Sequence, residues 1–128
     1  MAGLAVREYE HFRLLADELT TRGVDPETAM AGFSAHFDTF NERTRPSTWL
    51  EGVVKAYVGE GIAADFYREI AAYVDDPTRA LVERALDDQE RTDYLVRIAR
   101  EAMAADPGTS GRLALWARRL LGEALTQA

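Results

Sequence analysis

Four proline-containing breaks divide this chain into helical segments, and no segment shows the alternation of β-branched and polar residues typical of a strand. The breaks lie at "RGVDPET", "RTRPSTWLE", "DDPTRALVE" and "ADPGTSGRL". In the first, Asp25 precedes Pro26 as a helix cap, and in the second Thr48 and Glu51 have the spacing of a capping box. We therefore expect five helices over about residues 3–22, 26–43, 48–74, 77–105 and 109–126.

The composition limits the classes of function that the chain can have. Its 128 residues are enough for one all-α helical bundle, so we expect a single domain over 1–128. The net charge of −7 makes a broad nucleic-acid surface unexpected. We expect no membrane span, because no apolar run is long enough, and no secretion signal, because the N-terminus lacks a charged segment followed by an apolar one. The absence of cysteine fits a cytoplasmic location and excludes thiol chemistry.

Three of the predicted helices place one acid within an apolar stripe, and these acids are Glu8, Glu60 and Asp88. The stripes include Leu4, Phe12, Leu15 and Leu19 in the first helix, Trp49, Val53 and Tyr67 in the third, and Leu81, Leu95 and Met103 in the fourth. A buried carboxylate must be protonated, paired with a cation or bound to a metal. We therefore expect a shared polar site. The alternative is that the helices are rotated and the acids line a groove or an interface.

Two glycines and two histidines near these acids also have expected roles. Gly59 and Gly61 flank Glu60, so we expect them to leave room beside the carboxylate or to allow a local bulge. Without cysteine, any metal must be bound by carboxylates and the two histidines, His11 and His36. We expect His36 at the edge of the core, among the core-packing Phe33, Phe37 and Phe40.

The stretches "RTRPSTWLEGVVKAYVGEGIAADFYREIAAYVDD" and "GRLALWARRLLGEALTQA", together with Glu8-x-x-His11, resemble the actinobacterial ferritin-like family that is similar to tRNA-(2-methylthio-N6-isopentenyladenosine) hydroxylase. The resemblance covers nearly the whole chain. It implies a ferritin-like bundle that binds two iron ions through one Glu from each of two helices and a Glu-x-x-His from each of the other two. It also implies oxygen-dependent hydroxylation of a small molecule or a modified nucleoside, as in tRNA modification.

On this resemblance, Glu8 and His11 match the first Glu-x-x-His motif, Glu60 matches a single acid, and Asp88 matches the acid of the second motif. These four residues are the expected metal ligands.

The chain departs from the family pattern at two points. Arg91 stands where the second motif has a histidine, and arginine stays protonated and does not bind iron. The family also has a core helix with a glutamate before the first motif, so we expect an N-terminally shortened bundle here.

Two hypotheses follow from these departures. In the first, the chain is a di-iron hydroxylase with an incomplete metal site. In the second, it is a metal-free interaction or structural module in which Arg91 neutralises Glu8, Glu60 and Asp88. A shortened bundle exposes apolar surface, so we also expect a homodimer. A two-fold axis would allow two chains to contribute Glu8 and His11 to one site.

Overall fold

The computed structural model describes residues 2–87 and 89–127, and within these ranges it contains helices and no strand. The helices are α1 (Ala2–Thr21), α2 (Pro26–Ala31), α3 (Ser34–Arg43), α4 (Trp49–Ala71), α5 (Asp76–Leu86), α6 (Gln89–Ala105) and α7 (Pro107–Gln127). The prediction of an all-α fold is confirmed.

Two of the five predicted helices are each divided in two, so the predicted number of helices is wrong. The segment 26–43 is interrupted at Gly32 and Phe33, between α2 and α3. The segment 77–105 is interrupted at Asp87, whose ψ of 80° lies outside the helical range and ends α5. Glycine and aspartate are both weak helix formers in a helix interior, so a helix readily ends at either residue.

Local hydrogen bonds start the helices close to where the sequence predicts. The Thr28 amide donates to Asp25 Oδ2 at 2.9 Å at the start of α2. The Glu51 amide donates to Thr48 Oγ1 at 3.2 Å at the start of α4. The capping box differs in one detail, because the Glu51 carboxylate accepts from the Ser47 amide at 2.6 Å rather than from that of Thr48. Asp75 caps α5, one residue before the expected position.

The main buried cluster lies between α4 and α7. It consists of Val54 from α4 and Leu113, Trp116 and Leu120 from α7. The Trp116 indole N–H donates to the Glu51 carbonyl oxygen at 2.9 Å, so the buried ring also has its polar atom satisfied. Because α5 and α6 pack on α4 as well, α4 is the central helix of the fold.

Helix α1 lies at the edge of this arrangement. It packs on α5 and α2, and none of its side chains that the structure describes is fully buried. Phe12 and Leu15, which the sequence placed in the core stripe, are each 41% exposed. That prediction is wrong, because helical periodicity identifies an apolar face but not whether a neighbour within the chain covers it.

Other side chains predicted to lie in the core are exposed to solvent for the same reason. Val53 of α4 is buried, but Trp49 and Tyr67 of the same predicted stripe are exposed. Phe33 and Phe37 are exposed too, so the expected phenylalanine core on α3 is wrong except at Phe40, which packs against the main cluster. In the part of the chain that the structure describes, no helix combines the length and apolar character needed to cross a bilayer.

Candidate functional site

The guanidinium of Arg91 joins three helices at one point. Arg91 lies in the first turn of α6, where its Nη1 contacts Glu8 Oε2 of α1 at 2.5 Å. Its Nη2 forms an ion pair with Glu60 Oε1 of α4. The two terminal nitrogens of one side chain therefore contact carboxylates from two different helices.

We call Glu8, Glu60 and Arg91 the Arg91 site. The exposed fraction differs strongly among its three side chains. The Arg91 side chain is 15% exposed, that of Glu60 is 33% exposed and that of Glu8 is 67% exposed. The expectation that Glu8 is a buried acid is therefore wrong, and the cation is the most enclosed member. Desolvation strengthens the attraction between Arg91 and Glu60 relative to an ion pair on the open surface.

A second ion pair supports the same junction between α1 and α6. Arg7 Nη2 contacts Glu90 Oε2 at 2.8 Å, one residue before each partner of the Glu8–Arg91 pair. Its side chains are 44% and 87% exposed, so solvent screens this pair more than the Arg91 site. Arg7 and Glu90 could not be predicted as site neighbours, because nothing in their local sequence pattern distinguishes them from ordinary surface residues.

The glycines beside Glu60 do not have the expected role. A Cβ atom added to Gly59 or Gly61 would meet no neighbouring atom within 4 Å, so neither glycine makes room for a packed group. Helix α4 also runs without a bulge from Trp49 to Ala71. Both of the expected explanations for these glycines are therefore wrong.

The remaining predicted ligands are only partly placed. His11 lies on α1 and is half-buried. His36, which we expected at the edge of the core, is exposed, so that prediction is wrong. Asp88 lies outside the described residues. Within the described ranges, no group of three or more His, Asp or Glu side chains is arranged to hold a metal ion. The assignment of Glu8, His11, Glu60 and Asp88 as metal ligands stays a prediction.

The chemistry of the Arg91 site can be compared with what a two-iron centre needs. Such a centre requires several carboxylates and imidazoles facing the metals. Here a permanently protonated guanidinium lies between Glu8 and Glu60 and uses an oxygen of each. The described arrangement does not fit two iron ions, because the positive charge already occupies the space between the acids.

Three aspartates outside this site have lowered pKa values because they cap helices. The pKa of Asp25 is lowered by its hydrogen bonds with the Thr28 side chain and amide. The pKa of Asp75 is lowered chiefly by the Thr78 amide, and that of Asp106 by the Thr109 hydroxyl and the Gly108 amide. These aspartates start helices and have no place in the Arg91 site.

Comparison with known proteins gives the family of the chain. A family model described as "Ferritin-like domain, actinomycetes" matches residues 1–128. A search of curated proteins finds no match. The predicted ferritin-like family is confirmed, whereas similarity to the tRNA hydroxylase in particular stays a prediction. With an all-helical fold arranged around α4, and with a family match over its whole length, the chain belongs to the ferritin-like domains of actinomycetes.

Proposed function

We propose that this ferritin-like domain is a metal-free helical module in which Arg91 takes the place of a metal. The observation that supports this proposal is the pair of contacts from one guanidinium to Glu8 of α1 and Glu60 of α4. A metal ion holds helices together by neutralising acids from each of them. A guanidinium does the same with directed N–H groups and without open coordination positions.

The position of the charge also opposes metal binding. Arginine keeps its proton under all ordinary conditions, so the positive charge between Glu8 and Glu60 is permanent. A divalent cation entering the same space would be repelled by Arg91 and would compete with it for the same oxygens. The site therefore favours a structural role over redox chemistry.

The test is metal retention by the full chain. The protein is loaded anaerobically with ferrous iron, desalted, and analysed for iron per chain. We expect the unmodified chain to retain none above a buffer blank and Arg91→His to retain iron, since the substitution removes the charge and adds an imidazole. Arg7→His is the matched control, because it adds an imidazole at the same helix junction outside the Arg91 site, and it should retain none.

Two results would overturn the proposal. Close to two irons per unmodified chain would show that Arg91 does not exclude the metal. A folded Arg91→His variant that gains no iron over the Arg7→His control would show that Arg91 does not stand at a former metal position. Circular dichroism of each variant establishes that it is folded.

A di-iron hydroxylase is the second candidate, and the convergence of Glu8 and Glu60 on one point favours it. Iron as cofactor, a modified nucleoside as substrate and a cytoplasmic location remain parts of this candidate. It would also require His11 and Asp88 as ligands. Two irons per chain in the test above, followed by oxygen-dependent hydroxylation of a modified nucleoside, would support it.

A further inference from the structure

One face of α4 lies open in the part of the chain that the structure describes. Gly59, Ala63, Phe66 and Ile70 follow each other at intervals of four, three and four residues, so they share this face. We call these four residues the α4 stripe. Phe66 is 55% exposed and Ile70 is 43% exposed. A Cβ atom added to Gly59 would meet no neighbouring atom within 4 Å, so the other end of the stripe is open as well.

The α4 stripe is separate from the faces of α4 that the chain itself uses. The buried residues of α4 are Val53, Val54 and Ala71. At 3.6 residues per turn they lie roughly 110–150° around the helix from the centre of the stripe. Glu60, which contacts Arg91, lies about 90° around the helix from the same centre. The stripe is therefore neither the side that packs on the core nor the side that forms the Arg91 site.

The α4 stripe is complementary to itself when two copies pack antiparallel. Its first two residues are small, its last two are large, and the two halves are symmetric about a point between residues 64 and 65. With a two-fold axis at that point, Phe66 of each chain lies opposite Ala63 of the other, and Ile70 lies opposite Gly59. Each large side chain thus meets a small one, so the two helices can approach closely and interdigitate.

The antiparallel pairing also gives Gly59 a role that the single chain does not. Glycine is unfavourable in the interior of a helix, and Gly59 lies within the regular helix of α4. Among the described residues, no neighbour needs the space that its missing side chain leaves. In the pair, this space holds Ile70 of the second copy.

The chain exposes enough surface for such an interface. Its accessible surface is 8974 Å² for 14.3 kDa, whereas folded monomers of this mass expose about 6,800 Å². The surplus of about 2,200 Å² per chain exceeds the roughly 800 Å² per partner that a standard interface buries. The α4 stripe has no charged side chain, so a partner selected by opposite charge is not favoured. A second copy already has the matching order of large and small side chains.

We propose that the chain forms an isologous dimer through antiparallel packing of α4 on α4 of a second copy, with Phe66 on Ala63 and Ile70 on Gly59. The dimer covers the exposed apolar side chains of the stripe and uses neither carboxylate of the Arg91 site. This inference goes beyond the metal-free module and does not rest on it, because the stripe lies on a different side of α4 from the Arg91 site.

The first test measures the mass of the full chain by light scattering over low to high micromolar concentrations. The unmodified chain is expected to reach twice its mass of 14.3 kDa. Gly59→Leu fills the space that Ile70 of the second copy needs, so it should weaken dimerisation by roughly tenfold or more. Gly61→Leu is the matched control, because Gly61 also has open space beside it but lies on the opposite side of α4. It should leave the dimer unchanged.

Disulfide cross-linking tests the register, because the chain has no cysteine of its own. Under mild oxidation, an equal mixture of Gly59→Cys and Ile70→Cys chains should give a disulfide-linked dimer that contains one chain of each variant. Neither variant alone should cross-link at a comparable rate, because two copies of the same position lie about 16 Å apart along the antiparallel pair.

Three results would overturn the proposal. The first is a monomeric mass of the folded, unmodified chain at every concentration. The second is a dimer that Gly59→Leu and Gly61→Leu affect equally, with circular dichroism establishing that both variants are folded. The third is cross-linking of each cysteine variant alone as fast as in the mixture, which would indicate parallel or unspecific packing. None of these outcomes depends on the iron content that tests the metal-free module.

Discussion

Arg91 connects α6 to both α1 and α4 through one side chain. Its side chain is 15% exposed and its two terminal nitrogens contact Glu8 and Glu60. Lysine could not replace this geometry, because an ammonium is a point charge without the planar fork that reaches two carboxylates.

We expect Arg91→Met to lower the free energy of unfolding by about 1–3 kcal/mol, because Glu60 would keep its partial burial without its cation. Arg7→Met is the matched control, since its partner Glu90 is 87% exposed. It should cost less than about 1 kcal/mol. Urea denaturation of both variants provides the measurement. Equal losses for the two variants would mean that burial of the Arg91 site adds nothing to its stability.

The cap aspartates predict how stability depends on pH. The pKa values of Asp25, Asp75 and Asp106 are lowered in the folded state by hydrogen bonds to their carboxylates. A lowered pKa stabilises the fold above the unfolded value of about 3.9, and this contribution is lost as the pH falls through the folded value. We therefore expect the midpoint temperature of thermal unfolding to decrease when the pH is lowered below about 4.

The double variant Asp25→Asn with Asp75→Asn is the control for this prediction. Asparagine is also a good helix cap but does not titrate, so the variant should keep its helices at neutral pH. Its thermal midpoint should fall less between pH 5 and pH 3 than that of the unmodified chain, as measured by circular dichroism. An identical pH profile would show that the acid sensitivity has another source.

Among the helices, α4 has two glycines that its packing does not require. A Cβ at Gly61 would meet nothing within 4 Å, and the residue is in regular helix. We expect Gly61→Ala to raise the free energy of unfolding by about 0.4–1 kcal/mol, since alanine restricts the unfolded chain. Gly23→Ala is the contrasting variant, because the φ of 76° at Gly23 is strained for any other residue, and it should destabilise. A loss of stability in Gly61→Ala, measured by urea denaturation, would contradict the open space beside α4.

The pairing of α4 with α7 should depend on the inner face of α7. Leu120 is 1% exposed in the main cluster, whereas its neighbour Leu121 is 46% exposed. We expect Leu120→Ala to cost about 2–5 kcal/mol through lost burial and the cavity that remains. Leu121→Ala, which removes the same atoms from the surface, should cost less than about 1 kcal/mol. Thermal and urea unfolding compare the two variants. Similar losses in the free energy of unfolding would contradict the assignment of Leu120 to the core.

For the molecule as a whole, the homodimer expected from the sequence would link stability to concentration. A protein that folds with its partner gains stability by mass action, so its thermal midpoint should rise by a few degrees as the concentration increases. We expect this dependence for the unmodified chain in differential scanning calorimetry. A concentration-independent midpoint for the unmodified chain would contradict an obligate dimer.

Local features of the chain could be predicted from sequence, because they depend on residues close to each other. Asp25 with Pro26, and Thr48 with Glu51, begin helices through hydrogen bonds that span three residues. The all-α class and the ferritin-like family were predicted in the same way, from segment boundaries and from long distinctive stretches. For the Arg91 site, neutralisation of Glu8 and Glu60 by Arg91 is one of the two hypotheses drawn from the sequence, and the two ion pairs agree with it.

Exposure could not be predicted in this way. Trp49 and Trp116 both lie in apolar stretches, yet Trp49 is exposed and Trp116 is buried against α4. Glu8 was expected to be buried, yet its side chain is 67% exposed although it contacts Arg91 of α6. An apolar stripe results from the periodicity of one helix, and its burial results from where a second helix lies. That position depends on contacts between residues far apart in the chain, such as Arg91 and Glu8, and no local pattern contains it.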